Sequence, residues 1–170
     1  MLENWKQYLN EKDYVELVNF VKLTIMSVPQ KHKFLVICGG PNTGKDALCN
    51  DISKLVESVG FISGLTRRVI DDNRLQCKLL VFDGLGSCTA GIIKEIVSRD
   101  KVIYKAPREY PTLIIPKCNV ILKTESVDKF DVGLVRRAIV INLTKKFIEP
   151  TIGQIYSNFK LECTSELVDF

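Results

Sequence analysis

Apolar residues recur along the chain with two different periods. In "DYVELVNFVKLTIMSV", residues 13–28, Val18, Val21, Ile25 and Val28 fall at helical spacing, and Pro29 with Lys31, His32 and Lys33 closes the segment. "KFLVIC" is instead an unbroken apolar run of strand length that leads into glycines, the pattern of a strand covered on both faces in a parallel sheet. Beyond the glycines, Leu48, Ile52, Leu55, Val56 and Val59 predict one apolar face of a helix that Gly60 terminates. "CKLLVFDG" repeats the buried-strand pattern and ends on an acid, and Ile92, Ile93, Ile96 and Val97 then make a second amphipathic helix. "KVIYK", "TLIIP", "NVILK" and "AIVINL" follow as short strands, with Pro107 and Pro111 bracketing a turn between the first two. Tyr156, Phe159 and Leu161 suggest a closing helix whose boundary the pattern does not place.

Strands and helices that alternate in this way predict a three-layer α/β fold. The 170 residues are 46% hydrophobic and 26% charged, enough apolar material for one core, and no internal repeat or linker divides them. The longest uncharged apolar run, Phe34 to Cys38, is far short of the roughly 20 residues that a spanning helix needs, and the Met1 region is mixed polar, so a soluble intracellular protein is expected. Cys38, Cys49, Cys77, Cys88, Cys118 and Cys163 have no CxxC spacing and read as free thiols. The single histidine, His32, lies in a charged run and argues against a Ser-His or Cys-His catalytic pair. A net charge of +4 permits nucleic-acid binding without demanding it, so any phosphate-binding surface must come from local clustering.

Local clustering is found at "VICGGPNTGKDAL". Gly39, Gly40, Pro41, Asn42, Thr43, Gly44 and Lys45 fit GxxxxGK between a buried strand and an amphipathic helix, the context in which this pattern grips phosphate. With average residue usage the bare pattern arises by chance only about 0.05 times in a chain of this length, so it carries weight. Glycines let backbone N–H groups turn toward phosphate oxygens, the helix N-terminus through Ala47 adds partial positive charge, and Lys45 reaches the outer phosphates. Asp46 stands where such loops carry Ser or Thr, and its carboxylate either ligates Mg²⁺ or repels the nucleotide. Asp83, closing "LLVFD", is the candidate second metal-orienting acid. Gly84 follows it, so no second carboxylate stands beside Asp83 to polarise an attacking water. "YKAPREY" sets Lys105 and Arg108 beside Tyr104 and Tyr110, joining phosphate neutralisation to base stacking; an ordinary solvated turn is the alternative.

With those residues in view, the stretch from Lys31 to Leu143 resembles the viral superfamily 3 helicases, the AAA+ motors of parvovirus, papillomavirus and related replication proteins. "CGGPNTGKD" looks like their phosphate loop, where "GPPNTGK" is common, and "LLVFD" like their Walker B strand; Asp46 stands where some insect parvovirus relatives carry Asn. "IKEIVSRDKVIYKAPREYPTLIIPKCNVILKTES" resembles their B′ hairpin running into the sensor strand. The resemblance implies a P-loop fold with a central, mostly parallel sheet and a β-hairpin insertion. It places Lys105 and Arg108 at or near a hairpin tip facing single-stranded DNA, or RNA, with Tyr110 beside them as the stacking residue read above. The family's polar sensor falls on Glu125, or on Ser126 under a one-residue shift. In "GLVRRAIVINL" the likeness makes Arg137 or Arg136 a finger that reaches a neighbouring subunit's nucleotide; a basic surface pair is the other reading. The implied cofactors are ATP and Mg²⁺, the latter on Asp46 and Asp83, and the implied assembly is a homo-oligomeric ring, most often a hexamer, in the host nucleus or cytoplasm.

On this likeness residues 1–30 form an N-terminal helical segment packing on a P-loop domain of residues 31–170. The leading expectation is an ATP-driven replication helicase in which Lys45, Asp83, Glu125, Arg136 and Arg137 serve catalysis. A second is a weakened relative that binds nucleotide or nucleic acid without efficient hydrolysis, because Asp46, Gly84 and Glu125 all depart from the pattern. A third, a small-molecule P-loop kinase, needs a lid and a substrate insertion that the segment after Ile103 does not clearly offer.

Overall fold

The computed structural model describes residues 2–63, 75–86, 89–99, 102–104 and 112–147. A short 3-10 helix, Leu2–Gln7, precedes α1 (Glu11–Ile25), β1 (Phe34–Gly39), α2 (Lys45–Leu55), β2 (Val59–Ser63) and β3 (Leu79–Asp83). Then come α3 (Thr89–Ser98), β4 (Val102–Tyr104), β5 (Thr112–Ile114), β6 (Asn119–Thr124), α4 (Val132–Val135) and β7 (Ala138–Leu143). The main sheet has the order β2-β3-β6-β1-β7, and every pairing within it is parallel. The expected three-layer α/β fold is therefore present.

All six residues of β1 are buried because alternate side chains feed two separate cores. Leu35 and Ile37 pack with Leu17, Phe20 and Val21 of α1 and Leu48 and Ile52 of α2. Phe34, Val36 and Cys38 pack with Ile92, Ile93, Ile96 and Val97 of α3 on the other face. A strand sandwiched in this way has no polar face to reveal its period, which is why the sequence shows an unbroken apolar run.

Two elements differ from the sequence reading. The buried face of α1 is Asp13, Leu17, Phe20, Val21 and Thr24, while Ile25 and Val28 are exposed. Helical spacing among apolar residues gave a stripe that shares Val21 with the true one but diverges beyond it, since Thr24 and Asp13 are polar residues buried with partners: Thr24 donates to the Phe20 carbonyl (2.8 Å) and Asp13 accepts from the Asn142 amide (3.0 Å). Second, α2 stops at Leu55, and Val59 and Gly60 begin β2 instead of ending the helix. This is an edge strand with Phe61 half exposed, so its apolar pattern is weak.

β4 and β5 form a separate antiparallel pair with Val102 opposite Ile114 and Tyr104 opposite Thr112. The hairpin expected from the sequence is thus present in its strands. Lys105, Arg108 and Tyr110 lie outside the described residues, as does the region of Tyr156, Phe159 and Leu161. Among the described residues no helix is long and apolar enough to cross a membrane. Cys38, Cys49, Cys77 and Cys118 are all buried, and Cys38, Cys49 and Cys118 are free thiols.

Candidate functional site

Strands β3, β6 and β1 are consecutive in the sheet and parallel, so their carboxyl ends open onto one edge. The loop from Gly39 to Gly44 rises from β1 there and enters α2. Gly44, the residue before α2, has φ of 87°, and a Cβ on it would lie 2.7 Å from the Phe147 ring. Both the backbone angle and the contact require glycine. Gly39 is held as closely, since a Cβ there would meet Thr43 Oγ1 at 2.5 Å. Thr43 donates to the Gly40 carbonyl (2.9 Å), and Lys45 Nζ folds over the loop to donate to the carbonyls of Gly39 (2.6 Å) and Gly40 (2.7 Å).

Lys45 stands between two hollows. One, of about 350 Å³, is lined by Asn42, Thr43, Gly44, Asp46, Ala47 and Phe147 at the start of α2. The other, of about 510 Å³, contains Asp83, Gly84, Lys123, Glu125 and Ser126. Lys45, Asp83 and Glu125 thus line one cleft, and Asp46 lies in the adjoining hollow. The exposed Glu125 side chain lines the cleft, while its backbone carbonyl accepts from the Cys38 thiol (3.4 Å). Arg136 and Arg137 lie elsewhere, immediately before β7, which runs parallel to β1 with Ala138 beside Phe34. The length of β1, about 20 Å, separates them from the loop of their own chain. Arg137 donates to the Gly133 carbonyl (2.9 Å), and the Arg136 carbonyl accepts from Lys33 (3.2 Å).

Two features of the site escaped the sequence reading. The first is Lys123. Val81 and Ile121 face α1 and α2, and two positions further along each strand Asp83 and Lys123 share that face, side by side in register. Asp46, in the first turn of α2, closes the group: Lys123 Nζ donates to Asp46 Oδ1 and lies 3.4 Å from Asp83 Oδ1. Burial alone would depress the Lys123 ammonium, but the hydrogen bond to Asp46 and the charges of Asp83 and Asp46 outweigh it and hold its pKa above the ordinary value. Beneath them the Cys49 thiol is pushed up to about 12, chiefly by burial. The signal in the sequence was a lysine interrupting "NVILKT" at the parity of Ile121.

The second is Phe147. Its amide donates to the Asn42 carbonyl (3.0 Å), and its ring stacks on Trp5 with centroids 5.2 Å apart and planes 8° from parallel. Trp5 in turn donates to Asp51 of α2 (3.0 Å). The start of the chain therefore buttresses the loop.

Asp46 and Asp83 carry the oxygen donors that a hard divalent ion takes, but the ammonium of Lys123 lies between them. No group of three or more His, Cys, Asp or Glu suited to a metal occurs among the described residues. As arranged, these side chains do not fit an Mg²⁺ ion at that point.

Several solved structures share this architecture. The C-terminal region (305–718) of NrS-1 superposes with a TM-score of 0.67 at 15% identity, covering 92% of this chain and 42% of its own. JCV Helicase bound to an acetamide compound gives 0.54 at 16% identity, covering 91% and 47%. The chain has a helicase-like fold. The resemblance to superfamily 3 helicases is thereby matched in fold, although this chain spans less than half the length of either neighbour. No family model matches the chain, and no curated protein sequence does either.

Proposed function

We propose that the chain is the ATP-binding motor of a helicase or translocase of the superfamily 3 type, acting in viral DNA replication. The observation that carries this reading is the glycine loop with Lys45 at the mouth of β1, opening onto a cleft that also holds Asp83 and Glu125. The loop and the first turn of α2 present N–H groups and partial positive charge to a polyphosphate, and Lys45 exchanges the Gly39 and Gly40 carbonyls for phosphate oxygens. Glu125 stands where the family's sensor falls and supplies the carboxylate missing after Asp83, able to orient and deprotonate an attacking water.

In this reading the β4–β5 hairpin carries Lys105, Arg108 and Tyr110 to single-stranded DNA or RNA. Arg136 or Arg137 serves the site of a neighbouring copy in a hexameric ring, and their position at the far edge of the sheet supports action between chains. The work would take place in the host nucleus or cytoplasm. Phosphate release from ATP, measured with and without single-stranded DNA, tests the reading: activity that vanishes in Lys45→Ala and Glu125→Gln supports it, and full activity in either variant removes that residue's role. The ion pairs of Lys123 favour a second reading, capture of nucleotide without efficient hydrolysis, and the same assay with a parallel measurement of ATP binding separates the two.

A further inference from the structure

Lys123 has an environment unlike that of a surface lysine. Its side chain is only 12% exposed, whereas its partners Asp46 and Asp83 are 79% and 61% exposed. The exposed acids therefore close over a covered ammonium. Register fixes this placement, because Lys123 lies beside Asp83 in the β3–β6 pairing and beside Ile37 in the β1–β6 pairing. Lys123 thus projects from the middle of the three strands that form the floor of the cleft, and it lines the same hollow as Lys45.

A divalent ion held by Asp46 and Asp83 would need the carboxylate lone pairs that this ammonium engages. It would also bring two positive charges against a third in a partly desolvated place, where screening is weak. The lysine is tethered to the strand, so unlike a free ion it is present at high effective concentration. An ammonium carries three protons; Asp46 accepts one and Asp83 lies 3.4 Å away as a charge partner, which leaves a donor for a phosphate oxygen.

We infer that Lys123 is the resident cation of this site: its ammonium takes the place of a divalent ion between Asp46 and Asp83, and the loop captures a nucleoside triphosphate as the metal-free anion. The identity of the ligand rests on the nucleotide reading above; the place of the cation does not.

Two measurements on the whole chain test the inference. Titration with Mn²⁺ alone, followed by electron paramagnetic resonance, is expected to show at least about tenfold tighter binding in Lys123→Gln than in the wild type, because the substitution frees the carboxylates. Equal binding by the two proteins overturns it. Calorimetry with ATP in EDTA and in Mg²⁺ is expected to give wild-type Kd values within about threefold of each other, with Lys123→Arg behaving alike and Lys123→Gln at least about tenfold weaker in EDTA. A wild type that loses about tenfold or more in EDTA overturns the inference, and this comparison stands by itself if Lys123→Gln does not fold. Failure to bind ATP in both conditions overturns the nucleotide reading and the ligand named here, while the Mn²⁺ titration still decides where the cation sits.

Discussion

β6 carries two polar side chains on one face, Asn119 where it begins and Lys123 near where it ends, and the strand between them is apolar. Asn119 is 2% exposed and uses its whole hydrogen-bonding capacity inside the protein. Its Oδ1 accepts from the Gln30 amide (2.8 Å) and Arg99 Nη2 (2.9 Å), and its Nδ2 donates to Thr24 Oγ1 and the Val28 carbonyl, each at 3.1 Å. Lys123 instead pairs with two exposed acids and borders a cleft. The amino-terminal edge of the sheet is thus closed by an internal network centred on a fully bonded Asn119, and the carboxyl-terminal edge holds charge open to a ligand. A buried polar residue with all partners internal reads as structure; one whose partners face a hollow reads as function.

The sharpest way to break this contrast is Asn119→Ala. It leaves the Gln30 amide, Arg99 and Thr24 without their shared partner and should lower unfolding free energy by about 3 kcal/mol in urea denaturation. Lys45→Ala should do the reverse, weakening ATP binding about a hundredfold in calorimetry while thermal unfolding shifts by less than about 2 °C. If both substitutions lower stability equally, the distinction between the two edges fails. Phe147→Ala removes the ring between Trp5 and Gly44 and should cost about 2 kcal/mol of stability, together with a loss of nucleotide affinity. The smallest effect belongs to Gly40→Ala, where a Cβ meets nothing within 4 Å; stability should change by less than about 0.5 kcal/mol. Gly44→Ala, strained at φ of 87° and pressed against Phe147, should exceed it in the same melts.

The phosphate loop was legible because GxxxxGK encodes its own backbone requirements, and β1, β3 and β6 because strands covered on both faces are apolar along most of their length. β2 was hidden by its edge position, and the face of α1 by the buried polar residues Asp13 and Thr24. Lys123 was hidden for a different reason: its partners lie 77 and 40 positions away, and only the parallel register of β3 with β6 and the entry angle of α2 bring them together. Phe147 likewise gains meaning only once the chain's opening segment folds under the loop.

That arrangement gives the molecule an optical gauge of its own loop. Trp5 is the single tryptophan of the chain, its indole lies flat against Phe147, and Phe147 presses on the glycine at which the helix begins. Any ligand that shifts the loop must disturb that stack, so unlabelled protein can be titrated by its intrinsic emission.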